Sequence, residues 1–405
     1  MPIQVAIIGG GAAGIAAARR LRDAHIDCLI LEARSRLGGR AWTVAAQRDL
    51  PLDLGCGWLH SGDRNPWREI AEAQGCAIDR TPPPWMRPAM GFPPAEQADF
   101  QAAFQAFNAR AEALPDTDPD CAASKFLDGS CRWNPLIEAI TTFISGAELE
   151  RISARDLARY DDSGVNWRVA EGYGSVIAGY GAGLPVRLNC PVRHIDHSGR
   201  RLKLEIAAGT IAADAAIVTL PTSLITEDLF APALPEKTEA ALGLPLGFAD
   251  KLFLSLADAE EFKPDSSLLG HTDRIGTAAY HLRPFGRPYI EGYFGGGLAA
   301  ELERGGIDAF FDFALAELKD QLGNDFGGRI KPLGLHAWGR DSFSRGAYSH
   351  ARPGKADCRA ALAAPVENRL FFAGEACSPT DFSTAHGAYL TGVAAAEQVI
   401  AFRRG

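Results

Sequence analysis

The chain has 405 residues, 47% of them apolar and 22% charged, an ordinary globular balance with length enough for two domains or one large one. A formal net charge of −9 excludes the basic footprint of a nucleic-acid-binding protein. No apolar run is long enough to span a bilayer, no cleavable leader opens the chain, and the cysteines lack a C-x-x-C pair, so a soluble cytoplasmic protein with free thiols is expected.

In chain order, residues 3–8 form the short apolar run of a strand buried on both faces. Gly9-Gly10-Gly11-Ala12-Ala13-Gly14 follows at once, and residues 15–24 read as a helix. A second apolar strand, Cys28 to Leu31, ends at Glu32. Each glycine has a purpose in such a unit. Gly9 permits the tight turn, Gly11 lets the backbone approach a pyrophosphate, and Gly14 lets helix and strand pack closely. The helix start beside Ala13 supplies free N–H groups and a positive dipole end. Glu32 can accept hydrogen bonds from both ribose hydroxyls. A dinucleotide therefore binds here, though the turn alone does not separate FAD from NAD.

The continuation does. Glu32-Ala33-Arg34-Ser35-Arg36-Leu37-Gly38-Gly39-Arg40 resembles the extension found in flavin amine oxidases, which implies FAD with Gly38, Gly39 and Arg40 on its phosphate side. Asp53-Leu54-Gly55-Cys56-Gly57-Trp58-Leu59-His60, followed by Asn65-Pro66, is similar to a segment of the same family. Polyamine oxidases resemble it most there. The resemblance implies cofactor contacts at Gly57 and Trp58. His60 either orients an amine or is a satisfied structural histidine.

Prolines at 82–84 and 93–94 then mark a departure from the nucleotide unit. Helices are expected over residues 95–114, with Phe100, Phe104 and Phe107 as a core stripe, and over 134–143. Glu171-Gly172-Tyr173 looks like the family's return to the FAD unit, with a short helix over 175–181. A strand over 192–195 follows, in which Val192 would pair with the adenine through its backbone. His194 and His197 have no other ligand types nearby and suggest no metal. A hairpin from Leu202 turning near Gly209 leads to a buried strand over 215–221 that matches the family's.

Alternation over residues 249–256 reads as a strand with one wet face. Its Lys251 matches the lysine that in flavin amine oxidases holds a water against flavin N5. The stretch from Gly334 to Gly354 matches a further family pattern, with Trp338 packing near the flavin and Tyr348 as a pocket wall. Finally, Leu370 to Ala376 reads as a buried strand running into Gly374-Glu375, a cofactor contact. Ser383 to Gly392, including Thr384, Ala385 and His386, resembles the polyamine-oxidase form of a helix start that points at the flavin.

The resemblance implies an α/β protein: a Rossmann-like, glutathione-reductase-like FAD-binding domain with an inserted α+β substrate domain containing a mixed sheet. Expected boundaries are 1–80, 172–235 and 355–405 for the FAD domain, and 81–171 with 236–354 for the substrate domain. The Arg-over-Lys and Ala bias fits a bacterial-type soluble member. The expected reaction is oxidation of a primary or secondary amine, polyamine-like or aryl/alkyl, by hydride transfer to N5. An imine forms and is hydrolysed, and O2 is reduced to H2O2. Alternatives from the same superfamily are a dehydrogenase or desaturase with another acceptor, an L-amino-acid oxidase, and a non-catalytic flavin-bound interaction protein. Ala347 stands where mammalian-type monoamine oxidases carry the cysteine that bonds to FAD, so noncovalent FAD is expected. Thr384 and Ala385 replace a pocket tyrosine, with Phe382 nearby. Glu171, Asp161 and Asp162 are candidate carboxylates for a cationic chain substrate, and Arg283, Arg340 and Arg345 for a substrate carboxylate. The choice between monomer and homodimer stays open.

Overall fold

The computed structural model describes residues 3–46, 50–115 and 117–404. Strand Ile3–Ile8 lies at the centre of an eight-stranded sheet, parallel on one side to Cys28–Leu31 and on the other to Gly209–Val218. Its alternate residues enter two different cores. Val5 and Ile7 face the helices Ala12–Asp23 and Ala385–Arg404, while Ala6 and Ile8 face Leu204, Val218 and Phe372. That double burial explains the unbroken apolar run. The two helices approach so closely that a Cβ on Gly392 would fall 2.2 Å from the Ala13 carbonyl oxygen.

Gly209–Val218 joins three separate parts of the chain. Its first half pairs antiparallel with Leu202–Ile206, as the expected hairpin, and residues 216–218 pair parallel with Leu370–Phe372. Val186–Arg187 and His194–Asp196 extend the sheet. Val192 therefore precedes its strand instead of opening it. The strand over 209–218 begins and ends earlier than the expected 215–221, because pairing with Leu202–Ile206 recruits the polar residues before Ala215.

The second sheet is antiparallel, in the order Ser266–Leu269, Ala279–Leu282, Tyr289–Gly295, Ala249–Leu256, Ile330–Leu335. The expectation of a wet face on Ala249–Leu256 is wrong: every residue but Ala249 and Ser255 is buried. The strand has a neighbour on each edge. Leu252, Leu254 and Leu256 pack with Phe310 and Leu318 of helix Gly306–Leu322 on one face, and Phe253 packs with Leu52, Leu54 and Tyr289 on the other. Its polar residues Asp250 and Lys251 are consecutive and therefore face opposite sides, both of them buried.

Helix Pro94–Glu112 carries the phenylalanine stripe into a further core with Trp133, Leu136 and Ile137 of the next helical segment. Phe100 and Phe107 are buried and Phe104 packs alongside.

Candidate functional site

At the dinucleotide end the glycine turn is built by close approach. Gly9 has φ 110°, and a Cβ on Gly14 would lie 2.0 Å from the Gly9 carbonyl oxygen. Gly38 donates its N–H to the Gly10 carbonyl at 2.8 Å, and Gly39 packs face to face with Gly11. The helix beginning at Ala12 has no side-chain cap and no acidic residue in its first turn. Its N–H groups are free for an anion. Glu32 is buried at the strand end beside Ala33, its oxygens accepting N–H bonds from Gly10 at 2.5 Å and Arg34 at 2.7 Å. The loop before Val192 reaches the same place, Cys190 donating to the Glu32 carbonyl at 2.8 Å. Glycine backbone, an uncapped helix start and a carboxylate at the strand end fit a dinucleotide.

Arg40 gathers the far segments. Its guanidinium meets the Glu375 carboxylate at 2.9 Å and the Ala347 carbonyl at 2.6 Å. Glu375 also accepts from the Ser349 hydroxyl at 2.6 Å and the Ser383 N–H at 3.0 Å. Burial alone would raise its pKa, but the Arg40 charge and the Ser349 bond hold it below the usual carboxylate range. Gly374 precedes it with φ 139°. Arg34 is committed to Asp341 at 2.7 Å and Ser344 at 2.7 Å. Thr384 caps the last helix, accepting the Gly387 N–H at 2.9 Å, and the Ala385 carbonyl accepts the Trp67 indole N–H at 3.0 Å.

Lys251 lies at the other end. It is 9% exposed, and its Nζ pairs with Glu291 Oε1 at 2.8 Å. A Cβ on Gly57 would sit 3.2 Å from that Nζ, so a glycine there lets the two segments meet. Trp58 donates its indole N–H to the Tyr293 hydroxyl at 3.2 Å and packs edge-on against Trp85. Trp338 is buried, donating its indole N–H to the Leu54 carbonyl and its backbone N–H to Asp250. A cavity of about 20 Å³ opens among Asp53, Gly57, Trp58, Arg168 and Glu291, room for one water beside Glu291.

His60 has its backbone carbonyl held by Asn65, the N-cap of helix Pro66–Ala73, and its ring Nδ1 lies 2.6 Å from Asn166 Oδ1. Asp162 lies 3.8 Å from the same nitrogen, whereas Asp161 is exposed and paired with Arg64. Glu171 is likewise exposed, its carboxylate tying down the Ala77 N–H. Only Asp162 of the three thus joins another predicted residue. His386 is buried against Asp381. Tyr348 donates its hydroxyl to the Phe143 carbonyl. Phe382 is held between Tyr160 and Arg359.

The arginines at 283 and 340 donate to backbone carbonyls, and Arg345 is exposed. The buried guanidinium next to Trp58 belongs instead to Arg168, paired with Asp79 at 2.5 Å and Asp265 at 2.8 Å. Arg168 and Glu291 were missed from sequence. Glu291 had a signal, since it is a lone carboxylate in the apolar run Tyr289–Gly295. Arg168 had none, for its partners are 89 and 97 residues away.

Among the described residues no group of three or more metal-ligating side chains converges, and no helix is long and apolar enough to cross a membrane. All eight cysteines are free.

Residues 12–127 and 130–400 match the family model described as flavin containing amine oxidoreductase. Polyamine oxidase 4 of Oryza sativa subsp. japonica is 30% identical over 443 residues, spanning 98% of this chain and 88% of that protein. Lysine-specific histone demethylase 2 of Homo sapiens is 23% identical over 441 residues, but only 53% of its length is spanned. A solved structure of putrescine oxidase bound to putrescine has the same fold, with a TM-score of 0.81 at 18% identity and 99% of each chain covered.

Proposed function

The chain belongs to the flavin-containing amine oxidoreductase family and is an amine-oxidising flavoenzyme; from that premise we propose that it binds FAD noncovalently and is an oxidase of primary or secondary amines. The observation that carries the reading is Lys251, a buried lysine ion-paired with Glu291 against Gly57 and Trp58. Its place in the sequence resembles that of the family's lysine beside the flavin. Bound FAD would take a hydride equivalent at N5 from the carbon next to the amine nitrogen and pass both electrons to O2, giving H2O2.

The protein's own residues then have three tasks. Gly9, Gly11, Gly14 and Glu32 would hold the adenosine and pyrophosphate end, with Arg40 and Glu375 joining the remaining segments around it. Trp58, Trp338 and Tyr348 line an aromatic site that excludes water and disfavours the ammonium form of the substrate. Neutralisation matters because an ammonium nitrogen has no lone pair to stabilise the developing iminium. Each pKa unit of that shift costs about 1.4 kcal/mol. The third task is orientation, assigned to His60, whose ring is fixed by Asn166 and Asp162. A polyamine-like substrate is favoured by the likeness to polyamine oxidases. The sheet containing Ile3–Ile8 would form the FAD domain and the sheet containing Ala249–Leu256 the substrate domain, with the boundaries given above. Ala347 supports noncovalent attachment, for its methyl side chain offers no nucleophile.

A peroxide-coupled screen of monoamines, polyamines and amino acids, run beside Lys251→Met, tests this. Peroxide from an amine is expected, with the variant keeping its flavin but reoxidising more slowly in air. Slow reoxidation of the unmodified enzyme, with no peroxide from any amine, would assign it to the dehydrogenases.

A further inference from the structure

We propose that Glu291 is a positioning residue: it keeps Lys251 an ammonium group at one fixed place beside Gly57. The inference rests on the reading of Lys251 as part of the reaction site. It begins with register. Lys251 stands opposite Tyr293, Phe253 opposite Glu291, and Glu291 in turn opposite His281. Directly opposed residues share a face, so Lys251, Phe253, Glu291, Tyr293 and His281 lie on one side of three strands. The opposite side of those strands carries Leu252, Leu254, Ile290, Phe294, Tyr280 and Leu282, all in an apolar core. Lys251 and Glu291 thus lie on the side that meets the segment over residues 52–60, while Asp250, on the other side, accepts the Trp338 N–H.

A lysine taken out of water normally loses its proton. Here the Nζ has a carboxylate oxygen at 2.8 Å. Glu291 is itself fixed from several directions. The Tyr293 hydroxyl hydrogen-bonds it, and Trp58 in turn holds that hydroxyl. His281 is 2% exposed, its Nε2 lying 3.0 Å from Asp265, which pairs with Arg168 at 2.8 Å. Burial would raise the Glu291 pKa, but the Lys251 charge 2.8 Å away outweighs it and keeps the carboxyl below its ordinary range. The groups facing Lys251 are thus Glu291 and Tyr293 from the neighbouring strand, and Asp53 and Cys56 from the segment that carries Gly57. The other flanking strand, Ile330–Leu335, has one charged residue, the exposed Lys331. Glu291 is the partner in direct contact.

Removing that carboxylate while keeping its shape leaves a buried lysine without its counter-ion. Its proton should then be lost about one to three pH units lower. The chain has eight lysines, few enough to follow by carbon-13 labelling of lysine Cε in the flavin-loaded enzyme. Lys251→Met identifies the resonance. The unmodified enzyme supplies the reference midpoint. In Glu291→Gln the midpoint should fall, and Glu291→Asp should recover part of the difference. Reoxidation of the reduced enzyme by O2 should slow in Glu291→Gln as pH rises through the lowered midpoint, with no such step in the unmodified enzyme.

An unchanged lysine midpoint in Glu291→Gln overturns the proposal. So does a midpoint in Glu291→Asp that lies no closer to the unmodified enzyme's than that of Glu291→Gln. Reoxidation unchanged in Lys251→Met would instead remove Lys251 from the reaction while leaving the titration result to stand, so the two readings fail separately.

Discussion

Arg40 and Glu375 are separated by 335 positions in sequence, yet their side chains meet at 2.9 Å. The same guanidinium holds the Ala347 carbonyl, so the glycine-rich end, the segment around Ala347 and the last strand close on one another through a single charged group. Glu375→Ala leaves the guanidinium facing a largely buried void. Breaking such a pair costs about 3–5 kcal/mol when both partners are buried. Arg40 keeps 25% of its side chain exposed, so about 3 kcal/mol is expected. The check is a thermal melt together with flavin absorbance per protein. Both should fall, and an unchanged melt would show that the pair is dispensable.

Gly14→Ala should be more damaging than an ordinary helix substitution. The added methyl would lie 2.0 Å from a backbone oxygen of Gly9, and backbone cannot rotate aside as a side chain can. The turn must open, which misplaces the helix start for a pyrophosphate. Loss of flavin from the purified protein, with the secondary structure retained by circular dichroism, is the expected result. Full flavin occupancy would contradict it.

A pH effect follows from His350, which is 3% exposed with both ring nitrogens lacking hydrogen-bond partners among the described residues. Burial, reinforced by Arg151, Arg359 and Arg352, pushes its pKa from 6.5 down to about 4. The unfolded chain therefore binds the extra proton first as pH falls. Stability contributed by the neutral ring is complete above about pH 6.5 and is lost progressively down to about pH 4, to a limit of about 3 kcal/mol. Denaturant melts across that window should slope downward towards acid, and His350→Phe should flatten the slope. Parallel curves for the two proteins would exclude His350 as the source.

Acid precipitation should release all of the flavin into the supernatant, since Ala347 carries no group able to bond to it. Yellow colour remaining in the washed pellet would show a covalent link formed elsewhere.

Local units were readable in the chain because their pattern and their packing coincide. The run over residues 3–8, the glycine turn and the strand ending at Glu32 are contiguous, and each needs only its neighbours to make sense. The phenylalanine stripe of Pro94–Glu112 likewise folded as its spacing implied. Ala249–Leu256 was misread for a physical reason: alternation reports that one face is polar, not that water covers it. Two flanking strands, and the segment carrying Leu52 and Leu54, bury that face. Asp161 and Glu171 fell outside the cluster because their carboxylates are spent at the surface on Arg64 and the Ala77 N–H, partners from an earlier part of the chain.

By itself the sequence determined the strand, glycine turn and helix start that open the chain, and through Gly38-Gly39-Arg40 and Lys251 it pointed to flavin amine oxidation. Those features are short stretches whose residue types are dictated by backbone approach and by phosphate. Only the tertiary structure decided what surrounds Lys251. Glu291 reaches it through the register of two strands, His281 stands opposite Glu291 on a third, and Arg168 arrives from a different part of the chain. Buried charges persist only beside partners. Here most of those partners are brought together by sheet pairing and long-range packing, which no local pattern in the chain encodes.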